Sequence, residues 1–192
     1  MRYLTKTQLQ SSNPHLLLRA KTTAGELDKA IAFKRFDNKL NMHYDEDASK
    51  NLKKDYWRVL DSFKFYYDTE GSEDKKWAIV PAGFLTDGAS VPRWFWGLVA
   101  PWGNYGQAAA LHDYLIEYGV VFHNNQRVNI SRKEADHVFN EAMRVAGVSK
   151  WQRRIMFLSV RAYSKIGLRS SIRRQFNKRR LEADWIKENY QV

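Results

Sequence analysis

Three short segments hold the residues most suited to chemistry: Asp87-Gly88-Ala89-Ser90-Val91-Pro92, Leu111-His112-Asp113-Tyr114 and Ala135-Asp136-His137-Val138-Phe139. An adjacent His-Asp pair, with one aspartate upstream in a glycine-containing turn and another downstream, supplies a base, a carboxylate to orient it and oxygen ligands for a metal. If His112 and Asp113 are consecutive on a helix, their side chains diverge by about 100°, so one can face a partner helix and the other a loop. A carboxylate at Asp136 facing His112 would fix the imidazole tautomer and support its cationic form, as a base that activates water requires. Asp113, turned the other way, can bind a divalent cation, calcium or magnesium, together with Asp87. Such a cation would polarise a carbonyl or phosphoryl oxygen as water attacks.

These residues also suit a structural role. A His-Asp dipeptide can bond backbone and pair with arginine, and Asp87-Gly88 by itself is a turn signal. Ser90 lacks the Gly-x-Ser-x-Gly setting of a serine hydrolase. The chain has no cysteine, which removes thiolate nucleophiles and cysteine-held zinc or iron-sulfur sites, so a metal must be held by oxygen or imidazole. His15, His43 and His123 fall in separate predicted loops or strand ends, and His137 shares a solvated face with Lys133, Glu141 and Arg144. Next to the Asp87 turn, Trp94, Trp96 and Trp102 fall within nine residues. They either wedge helices onto a sheet or form an apolar lip that grips substrate.

The elements that must position these residues change character along the chain. From Leu16 to Phe84 apolar and aromatic residues alternate, predicting antiparallel strands at 16–20, 30–36, 57–60, 63–67 and 76–80, with exposed loops at 45–50 and 68–75. Beyond Pro92 the period becomes helical. Tyr105 to Glu117 buries Ala108, Leu111 and Leu115. Ser131 and Glu134 form a capping box that starts a helix at Arg132, with Ala135, Phe139, Ala142, Met143 and Ala146 inward and an end near Gly147. A third helix runs from Lys150 to Ile166 with Ile155, Leu158, Ala162 and Ile166 inward. A fourth, about 172–189, lies on the surface. Strands followed by helices predict an α+β fold. The parts are a β-rich segment 1–85, a helical His-Asp segment 86–167 and a basic helix 168–192, within one domain overall.

Charge is concentrated at the C-terminal end. The net charge is +11, yet the interval between Glu141 and Glu182 holds twelve basic residues and no acidic one. Arg173, Arg174, Arg179 and Arg180 of that interval are candidates for binding an anionic partner: nucleic acid, lipid headgroups or an acidic protein surface. The chain has no run of eighteen apolar residues, so no transmembrane segment is expected, and residues 1–6 lack the pattern of a signal peptide.

The motifs Thr86-Asp87-Gly88-Ala89-Ser90-Val91-Pro92, Ala110-Leu111-His112-Asp113-Tyr114-Leu115, Ala135-Asp136…Phe139…Ala142-Met143 and Val160-Arg161-Ala162-Tyr163 together resemble the phage and prophage family called domain of unknown function 1353, over about residues 84–167. That resemblance implies a phage-type protein found in the host cytoplasm or as a virion component. The order of turn aspartate, His-Asp helix and following Asp helix also resembles, more remotely, the calcium-dependent phospholipases of the A-two class. It implies His112 as base, Asp136 behind it, and Asp113 and Asp87 as calcium ligands. Those enzymes place a tyrosine where Ile116 stands, and they commonly rely on disulfides. Two functions are therefore expected: a metal-assisted hydrolase of an ester or phosphoester, or a non-enzymatic phage component that docks on an acidic partner through its basic helices.

Overall fold

The structure, a computed structural model, describes residues 34–67, 74–88, 103–166 and 172–190. Its strands are β1 (Arg35–Phe36), β2 (Met42–Tyr44), β3 (Trp57–Val59), β4 (Phe63–Tyr66), β5 (Lys76–Val80), β6 (Leu85–Thr86), β7 (Val120–His123) and β8 (Gln126–Asn129). Its helices are α1 (Glu46–Leu52), α2 (Gly106–Tyr118), α3 (Arg132–Val145), α4 (Lys150–Ile166) and α5 (Ile172–Tyr190). The fold is α+β. One antiparallel sheet has the order β1-β4-β5-β7-β8, and a smaller antiparallel sheet has the order β2-β3-β6.

Alternation in the strands decides which side meets the helices. Phe63, Phe65, Ala78, Val80 and Val121 join α2 and α3 residues Leu111, Leu115, Phe139 and Met143 in the main core. The intervening positions Tyr66, Trp77, Ile79 and Phe122 form a second buried cluster, in which the Trp77 and Phe122 rings stack at 4.1 Å. Lys64 lies over the Trp77 ring on that side.

The expected strands at 57–60, 63–67 and 76–80 are present, and of the one at 30–36 only 35–36 is described as strand. The strand at 16–20 and most of the loop at 68–75 lie outside the described residues. The loop expected at 45–50 is instead mostly helix α1. Asp45 caps it, its carboxylate accepting the Ala48 N–H at 2.8 Å, with Glu46 and Asp47 favourably placed in the first turn. Between α2 and α3 a hairpin, β7–β8, turns at Asn124-Asn125, both with positive φ.

The expected helices form. Ser131 and Glu134 make the reciprocal capping bonds that start α3 at Arg132. Two expectations need correction. Leu158 is not inward: it is 57% exposed, and Ile155 on the same side is only half-buried, while Met156 takes the buried position of α4. The reason is that α4 packs on the main core through the side that carries Met156 and Val160, and Leu158 points away from it. Helix α5 is not simply a surface helix either, because its inner side carries Lys178, Glu182 and Ile186, all buried, at four-residue spacing.

Helix α5 is held by those charged residues. The Glu182 carboxylate is completely buried and accepts the Leu85 N–H at 2.9 Å and the Tyr118 hydroxyl at 2.8 Å. The Lys178 ammonium pairs with Glu117 and, at 3.4 Å, with Glu182, and lies 4.2 Å from the Phe84 ring centroid. Burial works against the ammonium, but Glu182 and Glu117 outweigh it and its pKa is raised. Gly83 closes the turn beneath α5 at φ +87°, where a Cβ would come within 2.7 Å of the Trp185 ring. Removing one partner of a buried ion pair leaves the other charge uncompensated. Lys178→Met is therefore expected to lower unfolding free energy by about 3–5 kcal/mol in urea denaturation; a loss below about 1 kcal/mol, typical of exposed pairs, would sink this account.

Candidate active site at the β6–α2 junction

Helix α2 carries His112 and Asp113 on neighbouring positions, and the two side chains part as consecutive helical residues must. His112 turns to α3. Its Nε2 lies 2.9 Å from Asp136 Oδ1, with His112 7% and Asp136 3% exposed, and its ring rests 4.6 Å from that of Phe139. The pair therefore pins α2 to α3 from inside the core.

Asp113 turns to β6. Its Oδ2 accepts a 2.5 Å hydrogen bond from the Thr86 hydroxyl, whose oxygen accepts the Gly88 N–H at 3.1 Å. Asp87 follows Thr86 and pairs with the Lys54 ammonium, which arrives from the end of α1. Lys54 and Asp87 side chains are 38% and 22% exposed, so this side of α2 is reachable from solvent. Burial, and then repulsion from Asp87, push the Asp113 carboxyl up to about 8, with the Thr86 hydrogen bond and the Lys178 and Lys54 charges acting in the opposite direction. For Lys54, burial is outweighed by the attraction of Asp87 and its pKa is raised. The two carboxyl groups are thus differentiated: Asp113 keeps its proton at neutral pH, while Asp87 has a cation beside it.

All four expected residues cluster around one stretch of α2, as two subsites instead of one. Sequence reading missed Lys54. Nothing local marks it, since the only sequence signal is a lysine just past a short capped helix; the contact depends on β3 and β6 pairing at Trp57 and Thr86. The role of Thr86 was likewise unread, although it stands in the same motif.

For the divalent cation, the donor set falls short. Among the described residues no three carboxylate or imidazole groups converge to hold a metal ion. Calcium takes six to eight oxygens, and here Lys54 already supplies positive charge to Asp87. Trp94, Trp96 and Trp102 lie outside the described residues. A cavity of about 330 Å³ lies elsewhere, between the β7–β8 hairpin and α3, lined in part by Tyr67, Val121, Val128 and Ile130, and none of the candidate residues lines it. His137 is exposed, and His123 pairs with Asp74 at 3.3 Å.

Of the four tail arginines, Arg173, Arg179 and Arg180 are exposed and Arg174 is half-buried. Arg179 is partly engaged, 3.6 Å from Glu117 and over the Tyr118 ring. No helix among the described residues is long and apolar enough to cross a membrane.

Residues 57–160 match the family model described as Protein of unknown function (DUF1353), more than half of the chain. The chain belongs to that family. It is also 32% identical over 90 residues to the uncharacterized protein y4jT of Sinorhizobium fredii (strain NBRC 101917 / NGR234), an alignment covering 46% of this chain and 24% of that protein. The chain thus spans about a quarter of that relative's length. No solved structure matches it.

The raised Asp113 carboxyl has a cost in stability. Between the ordinary value of 3.8 and about 8, unfolded chains release a proton that the folded chain keeps, so stability falls as pH rises through that window. Asp113→Asn removes this loss and can still accept from Thr86. The melting temperature of the variant, relative to the parent, should therefore be higher at about pH 7.5 than at about pH 4.5; an offset independent of pH would show that Asp113 is ionised in the folded protein.

Proposed function

We propose that this protein is a hydrolase of ester or phosphoester bonds whose reacting groups are Asp87 and Asp113. The observation that carries this reading is the meeting of two carboxyl groups at a partly exposed junction, one beside the Lys54 ammonium and the other half-buried against Thr86. A carboxyl group raised by burial and by a neighbouring carboxylate is unfavourable for folding, so the arrangement suits chemistry better than packing. In this reading Asp87, beside the Lys54 ammonium, takes a proton from water as the water oxygen bonds to the carbonyl carbon or phosphorus. Asp113 gives its proton to the leaving oxygen as that bond breaks. The products are an acid and an alcohol, and proton exchange with solvent resets the pair. His112 and Asp136 act as positioning residues that hold α2, and with it Asp113, at the correct distance from β6.

A second reading is favoured by the 2.9 Å His112–Asp136 contact: His112 is itself the base, using its other ring nitrogen, with Asp136 behind it.

Turnover of p-nitrophenyl butyrate and bis-p-nitrophenyl phosphate distinguishes them. Asp113→Asn and Asp87→Asn are each expected to lower kcat about 10²–10⁴-fold, the contribution of a positioned acid or base. In the wild type kcat should fall as pH rises through about 8, where Asp113 loses its proton. Full loss of turnover in His112→Ala, with turnover kept in Asp87→Asn, assigns the base to His112. A rise in melting temperature with calcium or magnesium that Asp113→Asn abolishes assigns the two aspartates to a cation. Absence of turnover on every ester and phosphoester leaves the non-enzymatic docking role as the function.

A further inference from the structure

Helix α4 has one face that the described elements leave largely open. Met156 is buried and Val160 packs against the main core, which fixes the inner side. Opposite them lie Trp151, 50% exposed, Leu158, 57% exposed, and half-buried Ile155, at the i, i+4, i+7 spacing of a single apolar stripe. Exposed Lys150 and Arg154 adjoin the stripe, and Arg153 and Arg161 are partly exposed. Every charged residue of α4 is basic.

We propose that this face docks α4 on an anionic lipid surface, lying in the plane of the interface with Trp151 and Leu158 entering the headgroup–acyl boundary. Three features of the stripe select that occupant. It is a single stripe along one helix, which a fluid bilayer accommodates without a preformed groove. Its charge is of one sign, so a second copy of the chain would meet like charge across the contact, whereas anionic headgroups complement it. A nucleic acid would satisfy the arginines but offers Leu158 little apolar surface. Tryptophan is the side chain best suited to the boundary itself, having an apolar body and one N–H. The face belongs to a different helix from the arginines Arg173, Arg179 and Arg180, and it shares no residue with the Asp87–Asp113 site, so the two proposals fail independently.

The test uses the full chain with vesicles of phosphatidylcholine alone and with about a third phosphatidylserine. Sedimentation with the anionic vesicles, weakened by salt and absent with the neutral ones, is expected. Replacing Trp151 and Leu158 together with serine should lower partitioning about tenfold or more, and Lys150→Gln with Arg154→Gln about fivefold per charge. The serine variant keeps every core residue; should it nonetheless unfold, Trp151→Phe preserves the stripe. Brominated lipid should quench tryptophan fluorescence in the wild type and much less in Trp151→Phe. Any one of three results overturns the proposal: failure to bind anionic vesicles, binding unchanged by the serine pair with no loss of quenching in Trp151→Phe, or equally tight binding to DNA or RNA with the same dependence on Trp151 and Leu158.

Discussion

A single fully buried carboxylate, Glu182, fixes how the C-terminal helix meets the rest of the molecule. One of its oxygens takes the Leu85 N–H of β6 and the other the Tyr118 hydroxyl of α2, while Lys178 supplies the compensating charge. Because a buried charge without partners is costly, the geometry of three elements is constrained at once. Leu85 is followed by Thr86 and Asp87, and Tyr118 stands at the far end of the helix that carries Asp113. The bond between Thr86 and Asp113 therefore forms on a frame that α5 has already set.

A second clasp works from the other side. His112 and Asp136 join α2 to α3 in the core, so α2 is gripped by α3 through one residue and presented to β6 through the next. Divergence of consecutive helical side chains turns one dipeptide into a structural pin and a half-buried acid. Lys54 completes the arrangement because Asp45 caps α1 while also bonding Arg58 at 2.6 Å, which ties α1 to the smaller sheet. Arg58 in turn donates to the Gly83 carbonyl at 3.0 Å, the residue on which Trp185 of α5 rests.

Charge is distributed by the same logic. The basic interval that looks uniform in sequence divides in the fold into Lys178, buried as a counter-ion, Arg179, partly committed to Glu117 and Tyr118, and exposed residues such as Arg154, Arg173 and Arg180. Family membership and one partial relative name no activity, so what the protein does rests on these local geometries.

The sequence by itself determined the features that depend on local periodicity and local bonds: the α+β order, the strands at β3 to β5, the start of α3 at its capping box, and the placement of His112 opposite Asp136, which needed only two amphipathic helices with facing stripes. Helix α1 was legible in principle from Asp45 and the acidic residues after it, but its short apolar pattern resembles a loop. Tertiary structure alone decided what comes from residues far apart in the chain. Lys54 and Asp87 meet through strand pairing, Lys178 and Glu182 are buried because β6 and α2 offer them partners, and Leu158 is left outside because α4 packs on the main core through the side that carries Met156 and Val160. Periodicity reports that a side chain can be buried; only the packed neighbours decide which face is covered and which charges are satisfied there.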